Sequence, residues 1–264
     1  MNKVAGVDEA GRGAVIGPLV VAAVSIEADS IERLTELGVK DSKLLDRRSR
    51  IMLYNRILEL GSSAVCIAEP RVIDGYVRKH ALNLLEARMF ADVLSRLRPL
   101  LAYVDACDTK PERFSAMIAR MLDKDVSMMM ISSAHKADRD NVLVAAASII
   151  AKVTRDSMVD DVKRRYGDFG SGYPSDIRTR RFIRYLFANG IVGGDDANVS
   201  YSSIDEHNNL ISITDVSHIK YVNEFNNTKS SSSSNNNDSR DHTSHRFSFI
   251  RYSWKPVRSL LASI

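Results

Sequence analysis

The first apolar run of the chain, residues 3–7, leads directly into two adjacent acids, Asp8 and Glu9. A second apolar run, 100–104, delivers Asp105, and Asp138 follows in His135-Lys136-Ala137-Asp138, just ahead of a long helical pattern. Open sheets place their sites at strand ends, so these carboxylates, drawn from three segments, are candidates for one cluster. Such a cluster repels itself without cations. Hard oxygen ligands suit Mg²⁺ or Mn²⁺, and two such ions can clamp the attacking and leaving oxygens of a phosphodiester. Taken by spacing alone, acids at strand ends are more ordinarily solvated turn residues.

Other residues offer recognition rather than chemistry. Gly11-Arg12-Gly13 invites a nucleotide-loop reading, but the next glycine, Gly17, misses the G-x-G-x-x-G spacing by one residue. The segment that follows reads as a strand, whereas a dinucleotide site needs a helix N-terminus there. The glycines either let a backbone approach a sugar or simply form a tight turn. Tyr173, between Gly172 and Pro174, is an aromatic in a stiff turn, suited to stacking and equally to packing. Lys43, Ser148 and Lys152 are candidate phosphate ligands, with solvated surface groups as the alternative. His135 is a candidate proton shuttle or an incidental surface histidine.

The elements that must position these groups follow from periodicity. Residues 3–7 and 18–26 read as buried strands, as do 63–68 and 100–104. Asp46 caps a helix to about 60, ended by Gly61, and a longer helix runs over 80–97 with Leu82, Leu85, Met89, Val93 and Leu97 as its stripe. Pro111 opens a helix to about 122, and the methionine-rich stretch 126–132 returns as a strand. A long helix spans 141–165, where the small residues Ala145, Ala146 and Ala147 permit close approach of another backbone. Ser175 or Asp176 caps a helix to about 188. The composition then changes over 191–246, where a serine run at 230–234 precedes asparagines at 235–237, a stretch unable to bury a core. Order is expected to resume near 247, with Ser253 capping a last helix that has Pro256 in its first turn. The expected division is a catalytic domain over 1–190, an insertion over 191–246 and a C-terminal helical segment over 247–264.

Bulk properties bound the class without specifying it. The chain has 264 residues, 44% hydrophobic and 27% charged, with a net charge of +4; the small basic excess fits a polyanionic partner. Cys66 and Cys107 form no CxxC pair and no zinc spacing with histidine, which points to buried, reduced thiols. Asp8 and Glu9 interrupt any signal-peptide apolar region, and the longest apolar stretch, 18–26, is about half the roughly 20 residues a membrane span needs. A soluble, cytoplasmic, monomeric protein with no membrane association is expected.

Taken together, these segments resemble ribonuclease HII, the type 2 ribonuclease H family, most closely its archaeal form. The likeness runs through Gly6-Val7-Asp8-Glu9-Ala10-Gly11-Arg12-Gly13, Gly17-Pro18-Leu19-Val20, Asp41-Ser42-Lys43-Leu44 and Val104-Asp105. It continues through His135-Lys136-Ala137-Asp138, Ala145 to Ser148, Ala151-Lys152-Val153-Thr154-Arg155-Asp156, Gly170-Ser171-Gly172-Tyr173-Pro174-Ser175-Asp176, and Arg251, Ser253, Trp254 and Lys255 near the C-terminus. The resemblance implies an α/β, ribonuclease H-like fold: a central mixed five-stranded sheet flanked by helices, with a helical C-terminal part. It implies that Asp8, Glu9, Asp105 and Asp138 are catalytic metal ligands holding two Mg²⁺ or Mn²⁺ ions. Gly11, Arg12 and Gly13 would contact a ribose 2′-hydroxyl through their backbone, with Tyr173 completing the recognition, while Lys43, Ser148 and Lys152 would hold phosphates. The implied substrates are RNA–DNA hybrids and duplex DNA carrying single ribonucleotides, cut to leave 5′-phosphate and 3′-hydroxyl ends. The competing classes are a non-catalytic nucleic-acid-binding protein and another nuclease on the same fold. Two stretches depart from the family pattern: Arg139-Asp140-Asn141 after Asp138, and 259–264, which lacks the glutamine and paired aromatics of a sliding-clamp-binding tail.

Overall fold

The computed structural model describes residues 2–39, 45–122, 126, 128–188, 219–222 and 248–262. Its centre is a mixed sheet of β1 (Lys3–Ala10), β2 (Leu19–Glu27), β3 (Ser62–Ala68), β4 (Leu101–Asp105) and β5 (Met130–Ala134). The spatial order is β5-β4-β1-β2-β3, and a short sixth strand, β6 (Ile219–Val222), extends the β3 edge. The meander β1-β2-β3 is antiparallel, while β4 and β5 join the other side of β1 in parallel. The five-stranded α/β core expected from the resemblance is therefore present.

Strand alternation divides the molecule into two layers of core. Leu19, Val21 and Ala23 of β2 face α4 (Leu82–Leu97) and α5 (Pro111–Ala119), packing with Leu85, Met89, Phe90 and Phe114. Val20, Ala22, Val24 and Ile26 face α1 (Ile31–Glu36), α2 (Arg47–Leu60) and the long α7 (Val142–Tyr166), meeting Ala145, Ala146, Ala147, Ile149 and Ile150. With both faces covered, β2 is buried almost throughout, which is why it reads as a continuous apolar run. A third cluster joins Val15 and Ile16 to Val159 of α7, Ile183 and Leu186 of α8 (Ile177–Ala188), Phe249, Ile250, and Val257 of α9 (Lys255–Leu261). The helical C-terminal part thus packs on the turn that follows β1.

Local signals set most element ends. The Asp46 carboxylate accepts the Ser49 N–H at 2.7 Å at the start of α2. Asn141 accepts from Leu143 and Val144 at 3.0 and 3.3 Å at the start of α7. Several expectations shift. β1 continues past residue 7 because β2 remains its partner as far as Ala10↔Val20. β5 begins at Met130 rather than 126, set by its register with Leu101. The helix expected from 80 begins at Leu82 as α4, and a further helix that the sequence reading did not include, α3 (Pro70–Arg78), precedes it, the two separated by a turn in which His80 adopts φ 54°. Trp254, not Ser253, is the N-cap of α9, because the Ser253 hydroxyl bonds Asp74 instead. β6 lies inside the segment expected to be an insertion, of which the other residues lie outside those described. Among the described residues no helix is long and apolar enough to cross a membrane.

Candidate metal centre and glycine turn

β1 and β4 run parallel from Val4↔Leu101 to Val7↔Val104, so Asp8 and Asp105 come one step beyond the last register pair. Alternation puts both on the α7 face, in line with Val4 and Ala10 on β1 and Tyr103 on β4. Asp105 accepts the Ala137 N–H at 3.0 Å. That bond fixes the tight turn at Lys136, whose φ is 57°, and so presents Asp138 from α6 (Ala137–Asp140). Asp8, Asp105 and Asp138 each offer a carboxylate oxygen, all within 4.8 Å of one another. Asp8 and Asp138 are buried, while the neighbouring Arg139 and Asp140 are exposed.

The electrostatics of this trio would suit a cation. Burial and then the charge of Asp105 push the Asp8 carboxyl up to about 8, with a further rise from Asp138, against the opposing hydrogen bonds of the Ser148 hydroxyl and the Glu9 N–H. The donor set is entirely carboxylate oxygen, which fits a hard divalent ion. A cation held by these carboxylates would replace their repulsion by attraction.

Glu9 stands apart from the trio. As the next residue on a strand it faces α4, and its Oε2 is buried without a hydrogen-bond partner among the described residues. Burial, followed by Asp8, Glu86 and Asp105, raises its carboxyl well above the ordinary range, while Arg12 lowers it. The Arg12 side chain pairs with the fully buried Glu86 and donates to Asn83 at 2.9 Å, so it is anchored to α4. Asn83 in turn donates to Asp108 at 2.8 Å.

Beyond Glu9 the chain turns through residues 11–18. Gly11 has φ +93°, and a Cβ there would fall 2.5 Å from the Pro18 carbonyl oxygen, so the turn requires glycine. Gly172, at φ +79°, accepts from the Val15 and Ile16 N–H groups at 2.8 and 3.1 Å. This docks the 170–176 loop onto the turn and brings the Tyr173 ring against Gly13, where a Cβ would lie 4.0 Å from Cε1. The buried Arg155 guanidinium lies 4.7 Å from the Tyr173 ring centroid and donates to the Ile16 and Ser171 carbonyls at 3.3 and 3.4 Å. Among the described residues no acceptor meets the N–H of Arg12 or Gly13.

The remaining candidates divide. Ser148 of α7 is buried and hydrogen-bonded to Asp8, placing it in the carboxylate cluster. Lys152 bonds Asp156 at 2.7 Å and lines a cleft of about 240 Å³ with Arg47, Lys163 and Arg178. His135 is exposed, and Lys43 lies outside the described residues. Burial raises both thiols, Cys66 to about 12. Sequence reasoning missed Glu86 and Arg155; the signal for Glu86 was an acid inside the apolar stripe of α4, one helical turn from Leu82 and three residues before Met89.

The chain matches ribonuclease HII over residues 5–194. Ribonuclease HII of Pyrococcus horikoshii is 46% identical over 188 residues, covering 70% of this chain and 83% of the relative, and that of Cenarchaeum symbiosum is 44% identical over 189 residues, covering 71% and 89%. The crystal structure of ribonuclease H2 from Pyrococcus horikoshii OT3 superposes with a TM-score of 0.72 at 34% identity, covering 99% of this chain and 98% of that one. The ribonuclease HII chain in a PCNA complex from Archaeoglobus fulgidus gives 0.66 at 40% identity, covering 72% and 90%. With the carboxylates, the glycine turn and the tyrosine loop all inside the matched region, the chain belongs to the ribonuclease HII family.

Proposed function

We propose that this ribonuclease H-type enzyme cleaves the RNA strand of RNA–DNA hybrids, and single ribonucleotides embedded in duplex DNA, using two divalent ions, Mg²⁺ or Mn²⁺. The observation that carries the reading is adjacency. Gly11, just past the end of β1, follows Asp8 by three residues, a span of at most about 11 Å, so a ribose held at the turn lies beside the carboxylates. The 2′-hydroxyl is the group that distinguishes RNA from DNA at a site. The Arg12 and Gly13 N–H groups, which meet no acceptor among the described residues, and the Tyr173 ring beside Gly13 form a surface suited to it.

In this reading Asp8, Asp105 and Asp138 hold the metal, and Glu9 contributes from the other face of β1. Bound divalent ions supply an activated water and neutralise charge on the phosphate. The chain's own work is positional: Ser148 orients Asp8, Ala137 N–H orients Asp105, and the turn selects the sugar. Attack on the 5′ side of the ribonucleotide leaves 5′-phosphate and 3′-hydroxyl ends. Lys152 and the exposed Arg181 and Arg184 of α8 provide positive charge for backbone phosphates. The division that goes with this reading is a catalytic unit over 1–190 and a C-terminal segment over 247–264, with β6 from the stretch between paired to β3. The Archaeoglobus relative was solved with PCNA.

The test is cleavage of a DNA duplex carrying one ribonucleotide, beside the all-DNA duplex, with each metal in turn. Incision on the 5′ side of the ribonucleotide alone supports the reading. Binding without incision favours a non-catalytic protein, and incision of both duplexes favours a general DNA nuclease.

A further inference from the structure

Residues 249–251 pair with 15–17: Ile250 bridges Ile16, the Gly17 N–H donates to the Phe249 carbonyl at 2.8 Å, and the Arg251 N–H donates to the Val15 carbonyl at 3.0 Å. The segment is anchored at its other end by Asp74 of α3, which accepts the Tyr252 and Ser253 N–H groups at 2.8 and 3.1 Å. Between these anchors the Arg251 side chain, fully buried, runs beneath the glycine turn. Its Nη1 donates to the Arg12 carbonyl at 3.0 Å and its Nε to the Gly17 carbonyl at 3.1 Å. The guanidinium lies 5.6 Å from the Trp254 ring centroid.

A buried guanidinium is expensive unless its donors are used. Here the two bonds go to the two ends of the turn, not to a carboxylate. The consequence lies in the peptide between Arg12 and Gly13. In a trans peptide the C=O and N–H point in opposite directions. Holding the Arg12 carbonyl inward on Arg251 therefore aims the Gly13 N–H outward, on the side away from the guanidinium. No acceptor among the described residues meets it there, and the Tyr173 ring lies alongside.

We propose that Arg251 is a positioning residue for sugar discrimination: by holding the Arg12 carbonyl it orients the Gly13 N–H to donate to the 2′-oxygen of the ribonucleotide. The inference rests on the proposed function and deepens it. It assigns to a residue more than two hundred positions away in sequence the geometry of a turn beside the catalytic acids. A lysine at 251 keeps the charge but lacks the planar fork that reaches both carbonyls, so it frees the peptide to rotate.

The experiment uses the full chain carrying Asp105→Asn to stop turnover, and measures Kd for a duplex with one ribonucleotide and for the all-DNA duplex of the same sequence. The ratio of the two reports sugar recognition alone. Adding Arg251→Lys is expected to reduce that ratio at least ten-fold while leaving the all-DNA Kd in place. A ratio retained by Arg251→Lys, or an equal weakening on both duplexes, overturns the inference. Should the variant fail to fold, the Gly13 amide resonance of the ¹⁵N-labelled chain with Arg251 intact decides the matter: it is expected to shift with the ribonucleotide duplex and not with the all-DNA duplex, and an identical response to both overturns the proposal. If the chain with Arg251 intact binds the two duplexes equally, it is the proposed function that fails, and the two failures are distinct.

Discussion

Gly6 of β1 lies directly against the backbone of Leu143 at the first turn of α7, so close that a Cβ on Gly6 would overlap the Leu143 carbonyl and the Val144 nitrogen. This contact sets the depth at which α7 crosses the sheet, and with it the meeting of Ser148 with Asp8. Gly6→Ala must move the helix, since neither partner is a flexible side chain. Overpacking costs about 1 to 3 kcal/mol in ordinary cores, and the loss here is expected at the top of that range. Denaturant unfolding measures it; a change within experimental error would show that α7 can shift freely.

The Ser148 hydroxyl donates to Asp8, which gives the residue a role distinct from the phosphate contact implied by family resemblance. Ser148→Ala is expected to lower kcat about ten-fold, the equivalent of the ~1.5 kcal/mol at the low end for a hydrogen bond to a charged group, with KM unchanged. A rise in KM at constant kcat would instead assign the hydroxyl to substrate phosphate.

Asp176 holds the tyrosine loop by accepting the Ser171 and Arg178 N–H groups at 2.8 and 2.9 Å. These bonds, that of Ser171 first, lower its carboxyl to about 2 from an ordinary value of 3.8. The stabilisation is present in full above the unfolded value and is lost as the pH falls from about 4 toward 2. The Tm difference between the native chain and Asp176→Asn should therefore be largest above pH 5 and shrink below pH 4. A difference independent of pH would remove the carboxylate from the account.

How far the site was legible in the sequence depends on the physical signal each residue left. Asp8, Asp105 and Asp138 were legible because each follows an apolar run or precedes a helical pattern. The separation of Glu9 was legible in principle, since adjacent strand residues face opposite sides, yet an acidic pair reads more readily as one cluster. β2, α2 and α7 follow their patterns closely because packing, caps and period agree. The α3 helix was missed because Gly75 weakens its pattern and the break at His80 is a backbone feature. Arg251 was visible as a residue, but no local pattern connects it to the turn at 11–18; that pairing exists only after the chain has folded.

The serine and asparagine run lies between β6 and the segment that carries Arg251. Replacing residues 223–246 with a short Gly/Ser linker is expected to leave Tm and cleavage nearly unchanged, because a composition this polar gives the stretch no core to bury. Loss of either would mean that the replaced stretch packs on the catalytic unit.

The central claim is that Asp8, Asp105 and Asp138 form the metal centre of a ribonuclease acting beside a ribose-facing turn. Its most direct test is single-turnover cleavage of a one-ribonucleotide duplex by Asp8→Asn at saturating Mg²⁺ and Mn²⁺, with duplex affinity measured in parallel. Removing the ligand removes the metal's contribution but not the phosphate contacts. Cleavage is expected to vanish while the duplex still binds. Turnover near that of the native chain would contradict the account.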